Sequence, residues 1–466
     1  MSSNTSPRFR VAICGSGIGG LVLAITIGKY AGPHIPIDVY EAHGSIMTTG
    51  AGISIWPRTV EILKELGLYE DIAPFFPRPR SPAQGPYFRK SDLREGGFDW
   101  FHLVSPYGPS NIHRQELVDA LERHIPTSCT FHFHKRLTTY TADESFLSGP
   151  SIIMQFADGT TASTDVLIGA DGVRSAVREA MFNDIAKLRP DVVDVGRLKE
   201  YIDPTWTGVL VYRSVIPAEK LSKIHPNHPS TEKMIVYYGR RQQVMTCPRL
   251  SQHIVCFPLH QAKRINVVAF DHNPSAVGKP FGGRWVTDVS QEELLETFDS
   301  FEPLVKAILQ CCDKPSRWAL HVTNELPAST FGRVAIIGDA CHAMTPHFGA
   351  GAGQAMEDAF VLGHLLAYSL TTLSRVPVAL QVHQAARLPF SSWVTRESHR
   401  IGLMYEFMAP GYYGSIDRSN EKDDLEILSQ AIIRQWSWQW KGGSVDEWKK
   451  AEKELCSRLE HLQTVL

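Results

Sequence analysis

The sequence predicts an α/β chain in which a parallel-sheet domain is split by an inserted antiparallel sheet and closed by a helical C-terminal region. Three observations predict it. Near the start, the apolar run Val11-Ala12-Ile13-Cys14 passes through a glycine-rich turn into a helical stretch, Leu21 to Tyr30, and on to a second short run, Ile37 to Tyr40. That order is the β-α-β unit of a parallel sheet. Between Val192 and Leu326 the pattern changes to short β-rich runs at Val209 to Ile216, Met234 to Tyr238, Gln243 to Cys247, His253 to Pro258 and Ile265 to Phe270, a spacing that suits antiparallel strands. From Arg333 the first pattern returns, with the buried-strand run Val334 to Ile337, a glycine loop and a helix from about Gln354. The expected boundaries are 1–190 and 327–375 for the two parts of the α/β domain, 191–326 for the insertion and 376–466 for the C-terminal region.

Bulk properties narrow the class. A chain of 466 residues, 43% hydrophobic, can bury a sizeable core, and a formal net charge of -2 argues against nucleic acid as a partner. The eight cysteines lack metal-like spacing; only Cys311 and Cys312 are neighbours, and they read as buried, so no metal site is expected. The start, Met1 to Arg10, has no apolar core of a secretory signal. The most apolar stretch, Ala359 to Leu373, contains His364, Ser369 and two threonines and reads as a buried helix rather than a membrane span. A cytoplasmic location without a membrane partner is the expectation, and oligomeric state stays open.

The first strand runs into Gly15-Ser16-Gly17-Ile18-Gly19-Gly20. In this pattern Gly15 makes a tight turn, Gly17 lets the backbone approach a pyrophosphate, and Gly20 packs helix against strand. Glu41 ends the second strand about twenty residues further on, where an acid binds ribose hydroxyls. Strand, glycines, helix, strand and acid together predict a dinucleotide site without choosing between NAD and FAD. Gly50 to Ile55 follows, then an amphipathic helix, Thr59 to Leu66, closed by Gly67. Pro74 to Gly97 is rich in Pro, Arg and Gly and reads as an excursion. Arg114 opens another helix, and Asp158-Gly159 marks a hairpin whose second strand leads to Gly169-Ala170-Asp171-Gly172-Val173-Arg174-Ser175. Gln291 to Cys311 reads as helical and Trp318 to Leu326 as extended. Beyond the Gln354 helix come a helical stretch from Val376 to Phe407, an alternation of Trp436, Trp438 and Trp440 that reads as buried, and a last amphipathic helix from Val445 to Leu462.

The loop His347-Phe348-Gly349-Ala350-Gly351-Ala352-Gly353 carries glycines at alternate positions, and the helix after it turns its positive end back toward the loop. The whole run from Gly338-Asp339-Ala340-Cys341-His342-Ala343 through Pro346 to Glu357-Asp358 closely resembles the second flavin-contacting motif of the single-component FAD-dependent aromatic hydroxylases. The likeness is greatest to their salicylate hydroxylase-like branch, fungal type. By that resemblance Asp339 holds the ribityl chain, Pro346 borders the flavin ring, and the backbone at Gly351-Ala352 faces the pyrimidine carbonyls. It also implies that the loop at Gly52 passes beside the flavin, that Arg114 reaches its phosphates or ribityl chain, and that Asp171 lies near pyrophosphate and nicotinamide entry. Arg58 stands where the family usually has asparagine.

The resemblance implies a Rossmann-like FAD-binding domain, an inserted substrate domain and a helical C-terminus. It further implies one tightly bound, non-covalent FAD, NADH or NADPH as a transient reductant, and dioxygen. A second complete GxGxxG unit is missing, which fits transient NAD(P)H binding. The implied reaction is hydroxylation of a phenolic, carboxylated aromatic substrate through a flavin hydroperoxide, with or without loss of the carboxylate. Val211-Tyr212-Arg213-Ser214 resembles the Tyr-Arg strand of the same branch, in which the arginine faces substrate; as a bare strand residue Arg213 reads equally as an edge charge. Phe257 stands where fungal relatives often have tyrosine, which leaves Tyr212, Tyr237, Tyr238 and His253 unassigned. The alternatives are a flavin monooxygenase of secondary metabolism, acting on a polyketide or terpenoid by epoxidation or dearomatisation, and a non-catalytic FAD-binding protein. A halogenase is disfavoured because Trp436 and Trp438 are followed by Trp440-Lys441 rather than by Ile-Pro. An NAD-dependent dehydrogenase leaves the Asp339 loop unexplained.

Overall fold

The computed structural model describes residues 7–46, 52–76, 84–92, 96–106, 110–142, 152–240, 251–259, 261–412 and 421–464. Its first layer is a six-stranded sheet in the order Thr330–Phe331, Val334–Ile336, Val166–Gly169, Val11–Cys14, Ile37–Tyr40 and Cys129–His132. All pairs are parallel except that between the first two. Val11–Cys14 is buried along its whole length, as a strand covered on both faces must be, which is why it reads as a continuous apolar run. The helices Ile18–Ala31 and Gly351–Ala367 pack against one another within the same core as Val11, Ile13 and Ile168. The helix Gly351–Ala367 begins three residues before the expected Gln354, so Gly351 and Ala352 form its first turn.

This strand order has a functional consequence. The strands leading to Gly15, to Asp171 and to Asp339 are neighbours and parallel, so their carboxyl ends emerge side by side. In an open α/β sheet that edge is where ligands bind.

The second layer is an eight-stranded sheet in the order Val286–Asp288, Ser316–Val322, Thr205–Pro217, Arg264–His272, Ser251–Leu259, Ile235–Arg240, Gln84–Lys90 and Phe98–Val104. The expected insertion supplies six of its strands. The stretch read as an excursion supplies one more, Gln84–Lys90, and the residues just after it supply the last, Phe98–Val104; Tyr87 and Phe88 pair in parallel with Ile235 and Val236, a non-local ladder that Pro- and Gly-rich flanks conceal. The expected run Gln243 to Cys247 lies outside the described residues. Gln291 to Cys311 forms two helices, Gln291–Thr297 and Pro303–Leu309, since Pro303 opens a new helix rather than continuing the first. They cover one face of the sheet through Leu294, Phe298, Phe301 and Val305, packed on Tyr212, Tyr237 and Ile254. The opposite face, which carries Val209, Val211, Val268 and Phe270, looks toward the first layer.

The long helix Val376–Tyr405 and the helix Ser444–Thr464 close the molecule over the Gly351–Ala367 helix. Between them lies a buried charge network. Arg387 donates to Glu357 Oε2 (2.9 Å), Asp358 Oδ1 (2.9 Å), Glu447 Oε2 (2.7 Å) and Gln354 Oε1 (2.7 Å). Arg58 donates to both oxygens of Glu357 (3.0 and 2.9 Å) and to Glu447 Oε1 (2.6 Å). The unusual arginine at the start of its helix is therefore a brace between four helices. The described cysteines, including Cys311 and Cys312, are all free. Among the described residues no helix is long and apolar enough to cross a membrane.

Candidate active site

Between the two layers lies a cavity of about 470 Å³. Its floor comes from the sheet edge: Gly17, Ile18, Ala170, Gly172, Gly338, Asp339, Pro346, Gly351 and Ala352. Its roof comes from the antiparallel sheet: Arg213, Val236, Val255, Val268, Phe270 and Trp318. Gly52, Arg114, His347, Tyr405 and Trp436 close the sides.

The glycine turn acts as its spacing demands. Gly15 sits at φ +102°, and a Cβ there would lie 2.3 Å from the Ala170 carbonyl oxygen, so the turn is locked against the neighbouring strand. A Cβ on Gly20 would lie 2.2 Å from the Gly15 carbonyl oxygen, whereas Gly17 faces open space. Helix Ile18–Ala31 starts there with no side-chain cap, and so does helix Gly351–Ala367. Two long helices thus present uncapped N–H groups and positive dipole ends at one cavity. Arg114 joins them with no partner for its Nε; burial lowers its pKa and nearby Asp339 partly restores it. This end of the cavity can hold a diphosphate and the edge of a flat ring, and its unpartnered donors fit FAD.

Two of the predicted cofactor residues sit behind this surface. Glu41 Oε2 accepts from the Ser16 N–H (2.9 Å) and hydroxyl (2.6 Å), and Oε1 from the His43 N–H (2.9 Å). Burial would raise its pKa, but these bonds outweigh burial and lower it. Asp171 Oδ2 accepts from the N–H groups of Ala176 (2.8 Å) and Val177 (3.2 Å), fastening the next helix, while its neighbours Ala170 and Gly172 line the cavity. Burial raises the Asp171 pKa against those bonds. Asp339 is exposed at the start of the short helix Asp339–His342. Asp358 shapes that turn, accepting from the Gly338 N–H (3.0 Å) and bonding His342 Nε2 (2.5 Å). Glu357-Asp358 therefore works through the buried charge network, not by touching the cavity.

On the roof, Arg213 lies in register with Val268, which pairs with Val255, which pairs with Val236. Its guanidinium stands 5.2 Å over the Trp318 ring, its Nε has no partner, and no carboxylate among the described residues forms an ion pair with it. Burial lowers its pKa, and the nearby Arg114 lowers it further. Of the unassigned candidates, Tyr212 bonds Glu293 (3.1 Å) and Tyr237 bonds Ser230 (2.6 Å), both in the cluster on the far face of the sheet. Tyr238 is buried among Phe88, Trp100 and Tyr405, outside the cavity wall.

Sequence reasoning gave no site role to His347, Tyr405 or Trp436, which all line the cavity. His347 belongs to the quoted motif; its ring packs so closely that a Cβ on Gly402 would lie 2.3 Å away. Burial, and then His253, pushes its pKa well below the usual imidazole range. Tyr405 and Trp436 come from the C-terminal region, where only the tryptophan spacing gave a signal. Behind His347, Glu406 bonds His272 Nδ1 (2.6 Å) and lies 3.3 Å from His253 Nδ1. Burial would raise the Glu406 pKa, but the two imidazoles bring it down to about 2.

The chain matches the family described as FAD binding domain over residues 8–260 and 283–398. It is 32% identical over 443 residues to a salicylate hydroxylase of Pseudomonas putida, covering 93% of this chain and 92% of that one. It is 30% identical over 474 residues to an FAD-dependent monooxygenase of Strobilurus tenacellus, covering 95% and 97%. The solved substrate complex of a salicylate hydroxylase superposes with a TM-score of 0.77 at 29% identity, covering 96% of this chain and 98% of that one.

Proposed function

Since the chain belongs to the FAD-dependent aromatic hydroxylases of the salicylate hydroxylase-like branch, we propose that this monooxygenase hydroxylates a phenolic acid, with Arg213 holding the substrate anion. The observation that carries the reading is the charge of the cavity. Arg114 and Arg213 both face it, and among the described residues Asp339 is the one carboxylate of its lining and Arg213 has no protein counter-ion. An anionic cofactor can neutralise the first arginine and an anionic substrate the second. A guanidinium offers a carboxylate two parallel hydrogen bonds, so it fixes ring orientation as well as charge.

In this reading the uncapped end of helix Ile18–Ala31 and the Gly15-Gly17-Gly20 turn hold the FAD diphosphate. Glu41 takes the adenosine ribose, Arg114 and Asp339 the ribityl region, and Gly351-Ala352 the pyrimidine edge. Asp171 fastens the strand end beside the diphosphate, and Gly52 and Pro346 would border the ring. Bound FAD would supply the redox chemistry of a monooxygenase, in which NAD(P)H is the reductant, one atom of dioxygen enters the substrate and the other leaves as water. The apolar roof residues Val236, Val255, Val268 and Phe270 keep bulk water from the reacting ring. His347 at the cavity wall stays neutral, because burial and His253 outweigh the opposing pull of the ionised Glu406 behind it.

The similarity to a salicylate hydroxylase favours a substrate with hydroxyl and carboxyl groups adjacent on one ring. The test is a panel of phenolic acids incubated with enzyme, FAD and NADH or NADPH, scored by product mass and released carbon dioxide. At least one ortho-hydroxy acid is expected to give product, and retention or loss of the carboxylate is read from the same spectrum. NAD(P)H oxidation that yields only hydrogen peroxide across the panel argues for a different substrate class.

A further inference from the structure

We propose that Tyr405 is a substrate-positioning residue, donating its hydroxyl hydrogen to the ring oxygen of a single-ring phenolic acid whose carboxylate is held by Arg213. The proposal rests on the phenolic-acid reading above and adds the group that recognises the other end of the substrate.

Tyr405 is the only tyrosine among the described residues that line the cavity, and it is 1% exposed. Its oxygen accepts a hydrogen bond from Trp436 Nε1–H at 2.8 Å, while the described residues offer no acceptor for its own hydrogen. Trp436 is itself clamped, edge-on to Trp56 (5.1 Å) and Phe348 (5.7 Å), so the bond fixes where the phenol oxygen lies. Burial raises the Tyr405 pKa, so the group remains a donor at neutral pH.

The backbone is held as firmly. Tyr405 ends the long helix, and the next residue, Glu406, ties that end to the roof through His272 and His253. The Glu406 carbonyl also accepts from the Ser251 hydroxyl (3.1 Å). A donor fixed from both sides is oriented before the substrate arrives, which cuts the ordering cost of binding.

Position across the roof sets the size of the occupant. Tyr405 packs against His253 (5.9 Å) and Tyr238 (6.0 Å), which lie on the strands two and three places from that of Arg213. Those places span about 10–14 Å at the usual strand spacing. With both side chains reaching inward, the remaining gap suits one aromatic ring, and a fused polycyclic substrate would overrun it. Phe257, which stands where fungal relatives often carry tyrosine, also lines this cavity, so Tyr405 supplies a hydroxyl that the strand lacks.

The test is a binding titration on oxidised holoenzyme, followed by perturbation of the flavin spectrum, with 2-hydroxybenzoate and benzoate as probes. The two differ only in the ring hydroxyl. Wild type is expected to prefer 2-hydroxybenzoate by about two- to tenfold, as one hydrogen bond between neutral groups implies. Tyr405→Phe should bring that ratio close to unity while leaving benzoate affinity and FAD content unchanged. Arg213→Ala should weaken both probes and preserve the ratio, and Trp436→Phe should lower the ratio in part. An unchanged ratio in Tyr405→Phe overturns the proposal, as does a parallel loss of both probes with FAD, which marks a structural tyrosine. Failure of wild type to bind either probe removes the single-ring phenolic acid and Tyr405's role together, whereas an unchanged ratio in a protein that binds both removes only Tyr405.

Discussion

Arg387→Ala is expected to destabilise the protein by about 3–5 kcal/mol, the usual cost of leaving buried charges unpaired. Arg387 is 2% exposed and neutralises Glu357, Asp358 and Glu447 at once, with Arg58 as the only other arginine of the network among the described residues. Its loss leaves the Asp358 carboxylate bonded to His342 and the Gly338 N–H, and Glu357 to Arg58. Because Asp358 also fastens the Gly338-Asp339 turn, FAD retention should fall with stability rather than after it. Chemical denaturation followed by flavin and tryptophan fluorescence measures both. Arg387→Lys should recover only part, since an ammonium cannot reach three carboxylates with a planar fork. The exposed pair Arg458–Glu454 (2.7 Å) provides the control: Arg458→Ala should leave the denaturation midpoint where it was. An Arg387→Ala protein as stable as wild type would show that the network is compensated elsewhere.

The second large effect is on substrate affinity. Removing the charge partner of a buried anion costs about 2–5 kcal/mol, so Arg213→Ala should weaken the acidic substrate by a factor on the order of 30 or more. Stability and FAD content should barely change, because Arg213 makes no ion pair among the described residues and only leans on Trp318. Arg213→Lys should restore part of the affinity. Product formed per NAD(P)H oxidised should fall in both variants, since a loosely held ring is struck less often. Wild-type affinity joined to a lowered melting temperature would instead assign Arg213 to the fold.

The sequence made the α/β layer legible because its signals are local. A fully buried strand, a glycine turn and an acid-ended second strand all lie within Val11 to Glu41, and the apolar run Val334 to Ile337 marks a further strand. The two-strand contribution of Gln84–Lys90 and Phe98–Val104 to the roof was not legible, because their pairing is set by strands far away in the chain. The same limit applies within the site. Gly17, Gly52, Arg114, Arg213, Asp339, Pro346, Gly351 and Ala352 meet at one cavity, while Glu41 and Asp171 stand behind it, bonded to Ser16 and to a helix start. Spacing tells which residues share a motif, and only packing tells which way a carboxylate turns. Tyr405 had no motif at all; its place depends on the length of a thirty-residue helix and on Glu406 docking against two roof histidines. Arg58, read as a departure beside the flavin loop, belongs to the charge network instead.

The central claim is oxygen transfer from dioxygen to a phenolic acid held in this cavity. The most direct measurement is the mass of the product formed under isotopically heavy dioxygen in ordinary water, with the best compound of the phenolic-acid panel as substrate. The predicted product carries one heavy oxygen atom in the newly introduced hydroxyl, and its yield drops in Arg213→Ala at equal FAD content. Product whose new oxygen comes only from water would contradict the account.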